Sequence, residues 1–115
     1  MKRSYVLLLA VLLTGLARPA LGQDAKAVDR GKAVFSEQKC SLCHAVAGKG
    51  NPKGSLDDVG SKLTADQMRQ WLLTPKEMAE KEKKTRQPAM QPFTKLSKTD
   101  LDALVAYLQT LKKTQ

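Results

Sequence analysis

The chain has 115 residues and a net charge of +9, with 20 Lys and Arg against 11 Asp and Glu, which suits one domain. It holds two Cys, one His, one Trp, two Tyr and two Phe, a thin supply of large side chains for a small core, so a staple of another kind is needed. The positive charge comes without a basic recognition element, a nucleotide-binding glycine motif or an internal repeat, and nucleic-acid binding is set aside.

Residues 1–22 have the three-part form of a secretory signal peptide. Lys2 and Arg3 make a basic start, Val6–Leu13 is an apolar run that extends through Leu16, and Ala20 and Gly22 are small residues before a cut at Gln23. The run is short of the roughly 20 residues a bilayer-spanning helix needs. The expected product is an exported, periplasmic domain of residues 23–115 with no stable membrane insertion; an uncleaved N-terminal anchor is the alternative. No Cys lies at the junction to take a lipid.

Gln23–Val28 reads as a polar lead-in to a helix from Asp29 to about Gln38. Val28, Gly31 and Phe35 recur at i, i+3 and i+7, with Val34 beside them. Gly31 costs a helix about 1 kcal/mol against Ala. It marks either a local flaw or a point where another helix crosses at close range.

Cys40-Ser41-Leu42-Cys43-His44 follows, with the C-x-x-C-H spacing of a c-type haem attachment site. Two thiols that add to the two vinyl groups of one haem must reach one edge of a flat ring. The His directly after them then falls under the iron and can bind it. Such thioethers fit an oxidising compartment, where a free pair would form a disulfide. Two rivals stand beside this reading. A redox dithiol belongs near a βαβ pattern, and no strand run is visible. A closed zinc site needs four ligands, and two Cys with one His fall short unless a carboxylate helps.

Ala45–Ser61 is a loop by composition, with Gly48, Gly50, Pro52, Gly54 and Gly60. Leu56 and Val59 are placed to turn inward, and Asp57 and Asp58 to face water. Thr64 opens a helix through a capping box with Gln67, and Leu63 and Met68 form a hydrophobic staple. Met68, Trp71 and Leu72 line one face. Pro75 stops this helix, and Thr74-Pro75-Lys76-Glu77 starts a short second one. Ala79–Gln87 is charged and reads as a solvated helix end and loop. Pro88 and Pro92 then exclude regular helix around Met90. Ser97 caps the last helix, with Leu96 and Leu101 as its staple. Leu101, Leu104, Val105, Leu108 and Leu111 form its stripe, with Tyr107 alongside, wide enough to pack on the first helix near Gly31.

A second axial ligand has to come from elsewhere. His44 is the sole histidine, so two histidines of one chain cannot ligate one iron. The thioether of Met is the usual alternative. Met68 is explained by packing. Met90 is favoured because its flanking prolines hold it on an extended loop, and Phe93 is placed to shield a haem from water. Met78, at the edge of a charged segment, and an open sixth site are the alternatives.

Several motifs in order resemble the small monohaem class I cytochromes c of bacteria, over about residues 28–112. They are Gly31-Lys32-Ala33-Val34-Phe35 before the Cys40–His44 motif, Leu56-Asp57-Asp58-Val59-Gly60 leading to Leu63-Thr64, and Met90-Gln91-Pro92-Phe93 before Leu96-Ser97 and Leu104-Val105-Ala106-Tyr107-Leu108. The resemblance implies an all-α class I cytochrome c fold, its N- and C-terminal helices crossing around one covalently bound haem. Gly31 and Phe35 would meet the last helix near Leu104 and Tyr107. Cys40 and Cys43 would carry one haem c, with iron ligated by His44 on the proximal side and Met90 on the distal side. One position departs: Gly54 stands where the family often has Pro, whose carbonyl accepts the proximal imidazole N–H, so the group that orients His44 is open.

The resulting expectation is a monomeric periplasmic one-electron carrier and not an enzyme. It would dock on redox partner proteins with acidic surfaces through Lys39, Lys49, Lys53 and Lys95, although these lysines serve equally as a solvated surface. The alternatives are a five-coordinate or Met-displaceable haem protein that senses or reacts with a small ligand, and an electron-transfer subunit of a membrane or dehydrogenase complex.

Overall fold

The computed structural model describes the backbone of residues 21–113 and the side chains of residues 25–113. The signal-peptide reading lies outside them except for Leu21 and Gly22. The first helix, α1, spans Leu21–Glu37 and so begins well before Asp29. Residues 23–28 hold no Gly or Pro, and Ala25, Lys26 and Ala27 are good helix formers. What reads as a polar lead-in is therefore helix.

The chain leaves α1 through Lys39, which adopts a left-handed conformation with φ of 54°. It enters a 3-10 turn at Cys40–Leu42. The expected loop then contains a small antiparallel hairpin, β1 (Ala45–Val46) and β2 (Lys49–Gly50), with Ala45 opposite Gly50. A second 3-10 turn covers Pro52–Gly54, where the Asn51 side chain accepts from the Lys53 N–H at 3.0 Å. Four helices follow: α2 (Val59–Lys62), α3 (Ala65–Leu73), α4 (Pro75–Lys81) and α5 (Lys98–Gln109). Asp57 and Asp58 do not simply face water. Asp57 accepts from the Ala47 N–H at 2.7 Å and the Ser55 hydroxyl at 3.1 Å, and Asp58 accepts from the Lys113 N–H at 3.2 Å. They tie loop and tail to the helices.

Helix starts follow the sequence in two cases and depart in a third. Thr64 Oγ1 accepts from the Gln67 N–H while the Gln67 side chain accepts from the Thr64 N–H, a complete capping box. Ser97 Oγ accepts from the Asp100 N–H at 3.1 Å. Thr74 does not cap α4: its hydroxyl donates back to the Gln70 carbonyl at 3.1 Å.

The fold is all-α and closes where α1 packs on α5. Gly31 resolves as a crossing point rather than a flaw. A Cβ there would collide with the Ala103 carbonyl oxygen and with Tyr107 Cβ, so only glycine admits the backbone of α5. Phe35 meets Tyr107 edge to face, with ring centroids 5.7 Å apart and an interplanar angle of 77°. The contact thus falls on Ala103 and Tyr107, one residue from the expected Leu104. Arg30 adds a two-pronged ion pair to Asp100, at 2.8 and 3.0 Å. Val34, Met68, Leu72, Leu101, Leu104, Val105, Tyr107 and Leu108 form one core cluster that joins α1, α3 and α5. Residues 82–97 form a helix-free strap. It is pinned to α3 by the Phe93 N–H donating to the Leu72 carbonyl at 2.8 Å. Among the described residues no helix is long and apolar enough to cross a membrane.

Candidate functional site

Between the strap, α3 and the loop after His44 lies a cavity of about 440 Å³. That is within the roughly 300–1,000 Å³ of small-molecule and cofactor pockets. Leu56, Val59, Leu63, Met68, Trp71, Leu72 and Leu108 give it an apolar wall, and His44, Pro88, Ala89 and Met90 also line it. The inward placing of Leu56 and Val59 is as expected. Phe93 is not in the wall; it packs against the core cluster instead, and Pro88 and Ala89 take the place beside Met90. A second cleft, of about 570 Å³, sets Asp57, Asp58, Lys62, Glu82 and Lys113 beside Val59, Leu63 and Trp71, and neither His44 nor Met90 lines it.

His44 enters the cavity from the end of the 3-10 turn, where its N–H donates to the Cys40 carbonyl at 2.9 Å. Its Nδ1 lies 2.9 Å from the Gly54 carbonyl oxygen. A carbonyl only accepts, so Nδ1 carries the proton, and the lone pair of the neutral ring is left on Nε2. Burial pushes the imidazole below its ordinary value, opposed by the Gly54 bond and reinforced by the charge of Arg86. The ring therefore stays neutral and able to ligate at neutral pH. Gly54 is the orienting group that the sequence leaves open: the backbone acceptor survives without Pro.

Cys40 is half-buried and Cys43 exposed on the turn just before His44, and neither is part of the cavity wall. Burial pushes the Cys40 thiol up to about 11. The zinc reading fails: among the described residues no three His, Cys, Asp or Glu side chains come together as a metal set.

The structure separates the methionines. Met90 is half-buried on the strap and lines the cavity with His44. Met78 is buried in α4, only 5% exposed, and does not reach the wall. Although it borders a charged segment in sequence, it is packed inward. Met68 touches the cavity from α3 but belongs to the core cluster. Sequence reasoning missed Arg86. It lines the cavity, and its Nη2 donates to the Cys43 carbonyl at 2.6 Å.

A family model for cytochrome c matches residues 28–112. The chain belongs to the cytochrome c family. This cytochrome c is also similar to cytochrome c oxidase subunit 2 of Alkalihalophilus pseudofirmus, 27% identical over 93 residues that take in 73% of this chain and 25% of that protein. The chain thus spans about a quarter of that curated relative's length. No solved structure matches it. The family's chemistry is electron transfer by a covalently attached haem c with its iron. The residues present fit that group: an apolar wall, a neutral imidazole with a free lone pair and a thioether share one cavity.

Proposed function

We propose that this cytochrome c is a periplasmic one-electron carrier with one haem c per chain, attached through Cys40 and Cys43 and ligated by His44 and Met90. The observation that carries the reading is the single cavity lined by both His44 and Met90, from which Met78 is excluded. The haem, when bound, supplies the redox chemistry. The chain supplies the rest. The Gly54 carbonyl holds the His44 ring in one tautomer. The strap presents a soft sulfur whose ligation favours the reduced state. Leu56, Val59, Leu63 and Leu108 exclude water, which keeps the site's electrostatics steep.

Export is supported by the form of residues 1–22. Lys39, Lys49, Lys53 and Lys95 are all exposed, and Leu42, on the attachment turn, is 71% exposed. Such a surface suits transient docking of a monomer on an acidic redox partner, with opposite charge speeding encounter. The protein acts as carrier rather than enzyme on this reading.

Absorption spectra test the ligation. The haem-loaded parent should be low-spin with a Met–iron charge-transfer band. Met90→Ala should abolish the band, whereas Met78→Ala and Met68→Leu should keep it. A high-spin ferric parent whose reduced form readily binds carbon monoxide would sink the carrier in favour of a ligand-binding haem protein.

The likeness to cytochrome c oxidase subunit 2 favours one second reading, an electron-transfer subunit of a larger complex. Co-purification with a partner at physiological salt would support it. Salt-sensitive, transient binding would support the free carrier.

A further inference from the structure

Arg86 stands in an exposed, charged stretch, yet it does what a buried residue does. Its guanidinium reaches a backbone carbonyl 43 positions away, that of Cys43, at 2.6 Å. It also covers Gly54. A Cβ on residue 54 would run into the Cys43 carbonyl oxygen and into Arg86 Nη1, with Arg86 Cζ 3.0 Å away. The carbonyl of this same Gly54 holds His44 Nδ1 at 2.9 Å. Both turns of the proximal side therefore meet under one guanidinium.

The other end of the connection is the strap. Arg86 and Met90 lie on the same helix-free segment, and both line the cavity. Beyond Met90 the segment is fixed by the Phe93–Leu72 backbone bond. Before Met90, Arg86 supplies the anchor. A guanidinium suits the task because its planar fork offers several donors in fixed geometry, which a lysine lacks.

We propose that Arg86 is a positioning residue, a clasp that fastens the Met90 strap onto the Cys43–Gly54 turn. The inference rests on His44–Met90 ligation. At position 54 a side chain would meet the Cys43 carbonyl oxygen first and the guanidinium beside it, so glycine there leaves that carbonyl in place for Arg86. Removing Arg86 frees one end of the strap, so Met90 should yield its place more readily to an external ligand. It also bares the turn that carries the Gly54 acceptor.

The test is equilibrium binding of imidazole to the ferric, haem-loaded protein, read by absorption. Arg86→Ala should bind imidazole about tenfold more tightly than the parent, the scale on which loss of one charge-assisted hydrogen bond acts. Arg86→Lys should fall between them. Lys32→Ala, which removes a charge from an exposed site on α1, should leave binding unchanged. Parent-like affinity in Arg86→Ala overturns the clasp. A parent without the Met–iron band would show instead that the ligation reading is wrong. The clasp is then judged on His44 alone, by exchange of its Nδ1 proton in the reduced protein. Faster exchange in Arg86→Ala than in Lys32→Ala upholds it, and equal rates overturn it.

Discussion

At position 31 the backbone of one helix fills the space that a side chain of another would need. Gly31→Ala would gain about 1 kcal/mol in helix propensity. Against that stands overpacking, typically about 1–3 kcal/mol, and the obstacle includes the Ala103 carbonyl, which cannot swing aside as a side chain can. The collision wins. The thermal midpoint of the haem-loaded variant should fall by roughly 4 °C or more for a domain of this size. A midpoint at or above that of the parent would show that α1 and α5 part freely there. His44 and Met90, which line one cavity, are marked in the sequence by local signals, the first by its place after two spaced Cys and the second by its flanking prolines. Arg86 is not, because its partner lies 43 positions away and its neighbours are lysines, glutamine and threonine.

Among the elements, the caps make a graded series. Thr64 closes a full capping box and Ser97 a single cap bond. Replacing either with Ala should cost about 1 kcal/mol. Thr74→Ala should cost less, because that hydroxyl bonds back to the Gln70 carbonyl and serves no donor of α4. Denaturant midpoints of the three variants would check the order, and a Thr74 effect as large as that of Thr64 would contradict it. Helices α3 and α5 are readable because a cap, a staple and a 3.6-residue stripe agree. The start of α1 is not, since no apolar stripe marks residues 23–27. Nor is the hairpin at Ala45–Gly50, whose two-residue strands are too short to show a period.

For the whole molecule, three carboxylates join parts that are distant in sequence. Asp100 is held below the ordinary aspartate value by the Arg30 guanidinium of α1, and Asp102 by Lys98 and then Arg69. Asp58 is lowered chiefly by the Lys113 backbone N–H. A carboxyl with a depressed folded pKa contributes stability above its unfolded value, near pH 4. That contribution is lost as pH falls through the folded value. The thermal midpoint should therefore hold steady above about pH 5 and decline below about pH 4. Asp100→Asn should flatten part of the decline. These pairs are exposed, so the effect should be modest and smaller in high salt. A midpoint that does not change down to about pH 2 would remove these carboxylates from the account.

The meeting of α1 with α5 also has a consequence in time. A ribosome delivers the N-terminal partner first and the C-terminal one last. Until α5 exists, Val34 and the bare flank of Gly31 have nothing to close on. The turn with Cys40, Cys43 and His44 is meanwhile already synthesised. Contacts between such distant segments form late and slow a domain's folding. The turn that carries the two thiols needs no part of α5 to form, so Cys40 and Cys43 stand open before that helix arrives, and Cys43 stays exposed after it.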